Sequence, residues 1–118
     1  MDETVAKAFA AEWIAAWNTH DVDRVLAHYA DDFEMSSPLI VTIAGEPSGR
    51  LKGKAAIGAY WRKALALHEN LQFTLVTILV GADSIVLHYR GSKLRHAAEI
   101  FHFGADGKVI RAAAHYDA

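Results

Sequence analysis

Residues 97–118 read AAEIFHFGADGKVIRAAAHYDA, and the reading of this stretch decides the fold. Two β-prone runs flank Gly104-Ala105-Asp106-Gly107, whose residues tolerate the left-handed backbone of a tight turn, so the stretch predicts a β-hairpin. Side chains alternate across a strand. Ala97, Glu99, Phe101 and Phe103 therefore share one face, and His96, Ala98, Ile100 and His102 share the other. The first face sets a single acid on a phenylalanine stripe.

Working upstream, residues 71–80 are rich in Phe, Val, Thr and Ile, Gly81-Ala82-Asp83 turns the chain, and residues 84–90 return before a second turn at Gly91-Ser92. With the hairpin this predicts a four-stranded meander of antiparallel pairs. Ile85, Leu87 and Tyr89 form the more apolar face of its second strand. Val86, His88 and Arg90 form the other.

The front half is helical. From Thr4 to Asn18, Val5, Phe9, Trp13, Ala16 and Trp17 recur at the spacing of one helical face. Asp21 can cap a second helix carrying Val22, Val25, Leu26 and Tyr29, with Asp31-Asp32 as its stop. Phe33, Met35 and Ser37 alternate along a short strand ended by Pro38, and residues 39–43 read as a β-excursion before the loop at residues 44–49. Gly53 opens a third helix with Ile57, Tyr60, Trp61, Ala64, Leu65 and His68 on one stripe.

Helices at the front and strands at the back predict one α+β domain over residues 1–118, a curved antiparallel sheet packed against three N-terminal helices. A curled sheet capped by helices leaves a concavity, the usual place for a small-molecule site. The helix stripes point Trp13, Trp17, Tyr29, Tyr60 and Trp61 there. One face of each strand adds Phe33, Met35, Leu87, Tyr89, Glu99, Phe101 and Tyr116, with Ser37 near the mouth. In such surroundings desolvation raises the pKa of Glu99, leaving a group able to donate a proton near neutrality. A register one residue off would leave it solvated.

Composition bounds the partners. The 118 residues are 53% hydrophobic and 22% charged, with a net charge of −2, which gives no electrostatic footprint for nucleic acid. No apolar run reaches the ~18 residues of a membrane span, and Met1-Asp2-Glu3 is acidic where a signal peptide is basic, so no membrane partner and a cytoplasmic location are expected. Without cysteine, thiol chemistry and Cys-ligated zinc are excluded. Seven histidines invite a metal reading, but His96 and His102 lie about 20 Å apart along one strand, too far to share an ion. Neither a metal nor a cofactor is expected.

Several strings, in order, resemble the nuclear transport factor 2-like superfamily, the fold of SnoaL-like polyketide cyclases and ketosteroid isomerase. They are Trp17-Asn18-Thr19-His20-Asp21-Val22-Asp23, Tyr29-Ala30-Asp31-Asp32-Phe33, Gly53-Lys54-Ala55-Ala56-Ile57 with Tyr60-Trp61, and Glu99-Ile100-Phe101-His102-Phe103 with Asp106-Gly107-Lys108-Val109. The resemblance implies a cone-shaped, cystatin-like fold and acid–base chemistry on a steroid- or polyketide-like molecule. It implies that Glu99 takes the place of an oxyanion-hole acid kept protonated in an apolar site. Ser37, before Pro38, stands where ketosteroid isomerases carry their catalytic aspartate, so their base is missing. Trp13 replaces an oxyanion-hole tyrosine, and its indole N–H donates but cannot accept.

Two functions follow as expectations. One is an isomerase, cyclase or dehydratase that uses Glu99 as acid on a small apolar, oxygen-bearing molecule. The other is a non-catalytic binding or dimerisation module of the same fold. In either case the convex face of the sheet, with His88, His96, His102 and His115, is the expected homodimer surface.

Overall fold

The computed structural model describes residues 1–118, the side chain of Leu94 excepted. Helix α1 (Glu3–Asn18) starts at Asp2, whose carboxylate accepts from the backbone N–H of Thr4 at 2.6 Å and of Val5 at 3.3 Å. Such a cap stabilises a helix by about 1 kcal/mol. Its buried stripe is Ala6, Phe9, Ala10, Trp13, Ala16 and Trp17. Val5, predicted on that stripe, is 56% exposed, because the small Ala6 takes the inward position.

Helix α2 (Val22–Leu26) is capped by Asp21 as expected, but it is one turn long. Tyr29 opens strand β1 (Tyr29–Ser36) and does not close the helix, and Asp31-Asp32 lie within that strand. The expected stop signal is a bulge. Tyr29 aligns with Val109 and Glu34 with Arg111, so β1 carries extra residues between these pairs, and Asp31 and Asp32 both reach solvent. Residues 39–43 are not β either: Ile40–Ala44 forms a turn of π-helix that buries Ile40 and Ile43. Strand β2 (Arg50–Lys52) follows. Gly53, at φ +89°, provides the backbone bend from which helix α3 (Lys54–Leu67) rises, burying Ile57, Tyr60 and Trp61.

The meander is strands β3 (Thr74–Val80), β4 (Ser84–Arg90), β5 (His96–Phe103) and β6 (Val109–Tyr116). β3 begins at Thr74 and not at residue 71, because Asn18 clamps the segment before it, donating to the Phe73 carbonyl at 2.9 Å and accepting its N–H at 2.7 Å. The sheet order is β2-β1-β6-β5-β4-β3. Its pairs are antiparallel except β1 with β6, which is parallel and lays the first strand beside the last. Helix α1 crosses the inner face, with Phe9 and Trp13 edge-on to Phe101 at 5.1 and 5.2 Å. The fold is α+β: a curved, open six-stranded sheet packed against the helices. No helix is long and apolar enough to cross a membrane.

Candidate functional site

Strand parity places Glu99 as the hairpin predicted, on the inner face. Its neighbours directly across the sheet are Leu87 on β4 and Ala114 on β6. One row along, Ala97 lies between Tyr89 and Tyr116. Two alanines thus leave space around the acid, and two phenols frame it. Glu99 is 4% exposed and takes a hydrogen bond on Oε1 from the Tyr89 hydroxyl at 3.1 Å. No other hydrogen bond to its carboxyl comes from the described residues.

Burial pushes the Glu99 carboxyl up to about 7, and the Tyr89 hydrogen bond pulls weakly the other way. The same desolvation, with the Glu99 charge adding to it, raises the hydroxyls of Tyr29, Tyr89 and Tyr116. Tyr60 is raised for the same reason, with the Ser37 hydroxyl opposing. At neutral pH the phenols are therefore donors, and the carboxyl stands near half protonation.

Glu99 lines a cavity of about 120 Å³ between the helices and the sheet. Of the predicted residues, Trp13, Trp17, Met35, Tyr60, Trp61, Tyr89 and Tyr116 line it as well. Tyr29, Phe33, Leu87 and Phe101 are buried in the core outside its lining, where Tyr29 accepts the Trp13 indole N–H at 3.0 Å. Ser37 is also buried outside the lining, and its Oγ accepts the Leu39 N–H at 3.1 Å. The structure adds Leu39, Ile43, Ala64, His68, Leu71 and Phe73, with exposed His68 at the rim. His68 could be found from its place on the α3 stripe. Leu39 and Ile43 were masked by a β-branched composition that suits a strand as well as a helical turn.

One further polar atom is unspent. Trp17 is 6% exposed, lines the cavity, and its Nε1 is buried without a hydrogen-bond partner among the described residues. Tyr60, His68 and Tyr116 also bring polar groups to the lining, so Glu99 is one of several polar side chains there.

The profile of the SnoaL-like domain family matches residues 10–112. The chain belongs to the SnoaL-like family. A SnoaL-like protein of unknown function from Burkholderia thailandensis is 56% identical, covers 99% of this chain and 98% of its own, and superposes with a TM-score of 0.94. A protein with a cystatin-like fold from Methylobium petroleophilum is 18% identical, with 100% and 79% coverage and a TM-score of 0.79. SalBIII, an epoxide hydrolase/cyclase-like enzyme with a role in pyran ring formation in the polyether salinomycin, is 17% identical, with 98% and 93% coverage and a TM-score of 0.75. The last two likenesses show the fold alone. No functionally curated protein matches the chain.

The outer face of this SnoaL-like sheet is chemically different. His88 Nε2 and His96 Nδ1 lie 2.8 Å apart with their rings stacked, a diagonal cross-strand pair that alternation along a single strand does not reveal. Among the described residues no three His, Asp or Glu side chains cluster as metal ligands. A groove of about 520 Å³ on this face is larger than the inner cavity and is lined by Arg50, Lys52, His102, Arg111 and His115 with Glu34. It holds no buried titratable group. Of the two other histidines in the helical half, His28 is turned to Glu12 at 3.2 Å and His20 to the Leu71 carbonyl at 2.9 Å.

Proposed function

We propose that this SnoaL-like protein binds a small apolar, oxygen-bearing molecule in the inner cavity and acts on it by acid–base chemistry, as an isomerase, cyclase or dehydratase would. The observation that carries this reading is Glu99, a buried acid held by Tyr89 at the wall of a mostly aromatic cavity. In its protonated form Glu99 keeps Oε1 on the Tyr89 hydroxyl and offers its own O–H to a ligand oxygen. As negative charge develops on that oxygen, the proton passes across. The carboxylate left behind is stabilised by the Tyr89 donor. The proton must come back through a second group. His68 is the imidazole at the cavity rim, and it is the residue proposed to take a proton from the substrate and return it.

Turnover of apolar ketones and epoxides tests this reading. Glu99→Gln is expected to keep binding, because a carboxamide still donates a hydrogen bond, and to lose turnover by 100-fold or more, because it cannot transfer a proton. Equal rates in the two proteins would refute the role of Glu99.

A carrier function is favoured by two other observations. The Trp13 N–H is already spent on Tyr29, and Ser37, which by the family resemblance replaces the base, is buried outside the cavity lining. Binding without turnover of any such ligand would establish the carrier. For the outer face the proposed partner is a second copy of the chain, docking beside the exposed Leu79 and the histidine pair. Sedimentation equilibrium distinguishes the dimer from a monomer.

A further inference from the structure

The outer face of the sheet carries a recess with a chemistry of its own. Strand register sets Lys52, Glu34, Arg111 and His102 in one row across β2, β1, β6 and β5, and Arg50, Ser36, Ala113 and Ile100 in the next. The centre of the second row is small. Half-buried Ser36 and Ala113 form a floor, and the exposed Arg50, Lys52 and Arg111 border it. The hollow, about 520 Å³, is within the size range of small-molecule sites. Its charge runs against that of the molecule, since three cations meet one acid there in a chain whose net charge is −2. That acid, Glu34, is already turned to Lys52 at 3.7 Å. Elsewhere Arg24, Arg62 and Arg95 each hold a carboxylate, whereas Arg50 and Arg111 meet none among the described residues. Two guanidinium forks thus border one hollow with no acid of this chain to take their donors.

We propose that this groove binds a small molecule carrying phosphate groups. A guanidinium presents a planar fork of N–H donors that matches a phosphate, and one phosphate has oxygens enough for two forks, whereas a carboxylate is filled by one. Lys52 adds a point charge, and His102 and His115 border the same hollow. Neighbouring strands lie about 4.8 Å apart, so the row from Lys52 to His102 spans about 14 Å, room for two phosphate groups in line. The site is independent of Glu99, which lies on the inner face. It is also distinct from the docking surface proposed for a second copy, because Leu79 is on β3, at the other edge of the sheet from β2.

Calorimetric titration of the full chain at low ionic strength, with pyrophosphate and with succinate, tests this. Pyrophosphate is expected to bind at least about tenfold tighter than succinate, and to weaken as salt screens the exposed cations. Arg50→Gln and Arg111→Gln should each weaken it by at least about fivefold. Lys63→Gln removes the same charge from an exposed position on α3 and should change nothing, which distinguishes a site from a general attraction to positive charge. In the wild-type protein the ring resonances of His102 and His115 should move with pyrophosphate, while those of His28, held at Glu12, stay in place. That readout does not depend on the variants. No saturable heat up to about 10 mM pyrophosphate, equal weakening by Lys63→Gln, unmoved His102 and His115 resonances, or succinate bound as tightly as pyrophosphate would overturn the proposal.

Discussion

Strand β5 carries two kinds of titratable side chain within four residues, and they live in different solvents. Glu99 faces inward between Leu87 and Ala114, 4% exposed, with one phenol hydrogen-bonded to it. His96 faces outward, exposed, with its ring against His88. Contact is closer on the outside, at 2.8 Å against 3.1 Å, and the hollow that the two histidines line, at about 290 Å³, is larger than the inner cavity. What distinguishes the inner group is the loss of water: the helices cover that face of the sheet, and burial pushes the Glu99 carboxyl up.

The sharpest break between the faces is mechanical. Phe101→Ala empties a side chain that is 0% exposed and that Phe9 and Trp13 meet edge-on, so it should cost about 4 kcal/mol in chemical denaturation. Ile100→Ala, one residue away on the half-buried outer face, should cost about 1 kcal/mol. Comparable losses would mean that the outer face is buried too, as in an obligate dimer.

The next effect is electrostatic. Glu99 has a folded pKa of about 7, above its ordinary value of 4.5, so the fold favours the protonated acid. That contribution is whole below about pH 4.5 and is lost as pH rises through 7, by about 3 kcal/mol at most. Glu99→Gln cannot lose it. The variant should match the wild type at pH 4, its melting temperature should exceed that of the wild type increasingly from pH 5 to pH 7, and the difference should level off above pH 8. A constant difference from pH 4 to pH 8 would place Glu99 in water.

Tyr89→Phe sharpens the same point. Removing the donor to Oε1 should raise the Glu99 pKa further and cost about 1–2 kcal/mol above pH 8, where the carboxylate is charged, with a smaller cost at pH 5. Thermal melts at the two pH values check it. The smallest effect is expected outside. His96→Ala should change stability by no more than about 0.5 kcal/mol at pH 8 by the same melts, because an exposed imidazole loses little when its partner turns to water.

The sequence reading succeeded where a local rule was also the global one. Parity on β5 put Glu99 inside because the hairpin turn at Gly107 fixes the register and one face is covered. The α1 and α3 aromatics followed from helical spacing. It missed where tertiary structure overrode a local signal. Tyr29 continues the spacing of Val22, Val25 and Leu26, but pairing with Val109 draws it into β1. Val41, Thr42 and Ile43 are β-branched and suit a strand, yet the segment turns as a π-helix that buries Ile40 and Ile43 and sets Leu39 and Ile43 in the cavity lining. The parallel β1–β6 pair joins the two ends of the sheet-forming chain, which no short-range pattern encodes. The unspent Trp17 N–H was also beyond reach, because an orphaned donor is a property of the packed interior.

The claim on which the rest depends is that Glu99 is an acid protonated near neutrality. A carbon-detected NMR titration of its side-chain carboxyl, run on the wild-type protein without ligand, tests it directly. A midpoint at about 7 is the expected result. A midpoint near the ordinary 4.5 would contradict it.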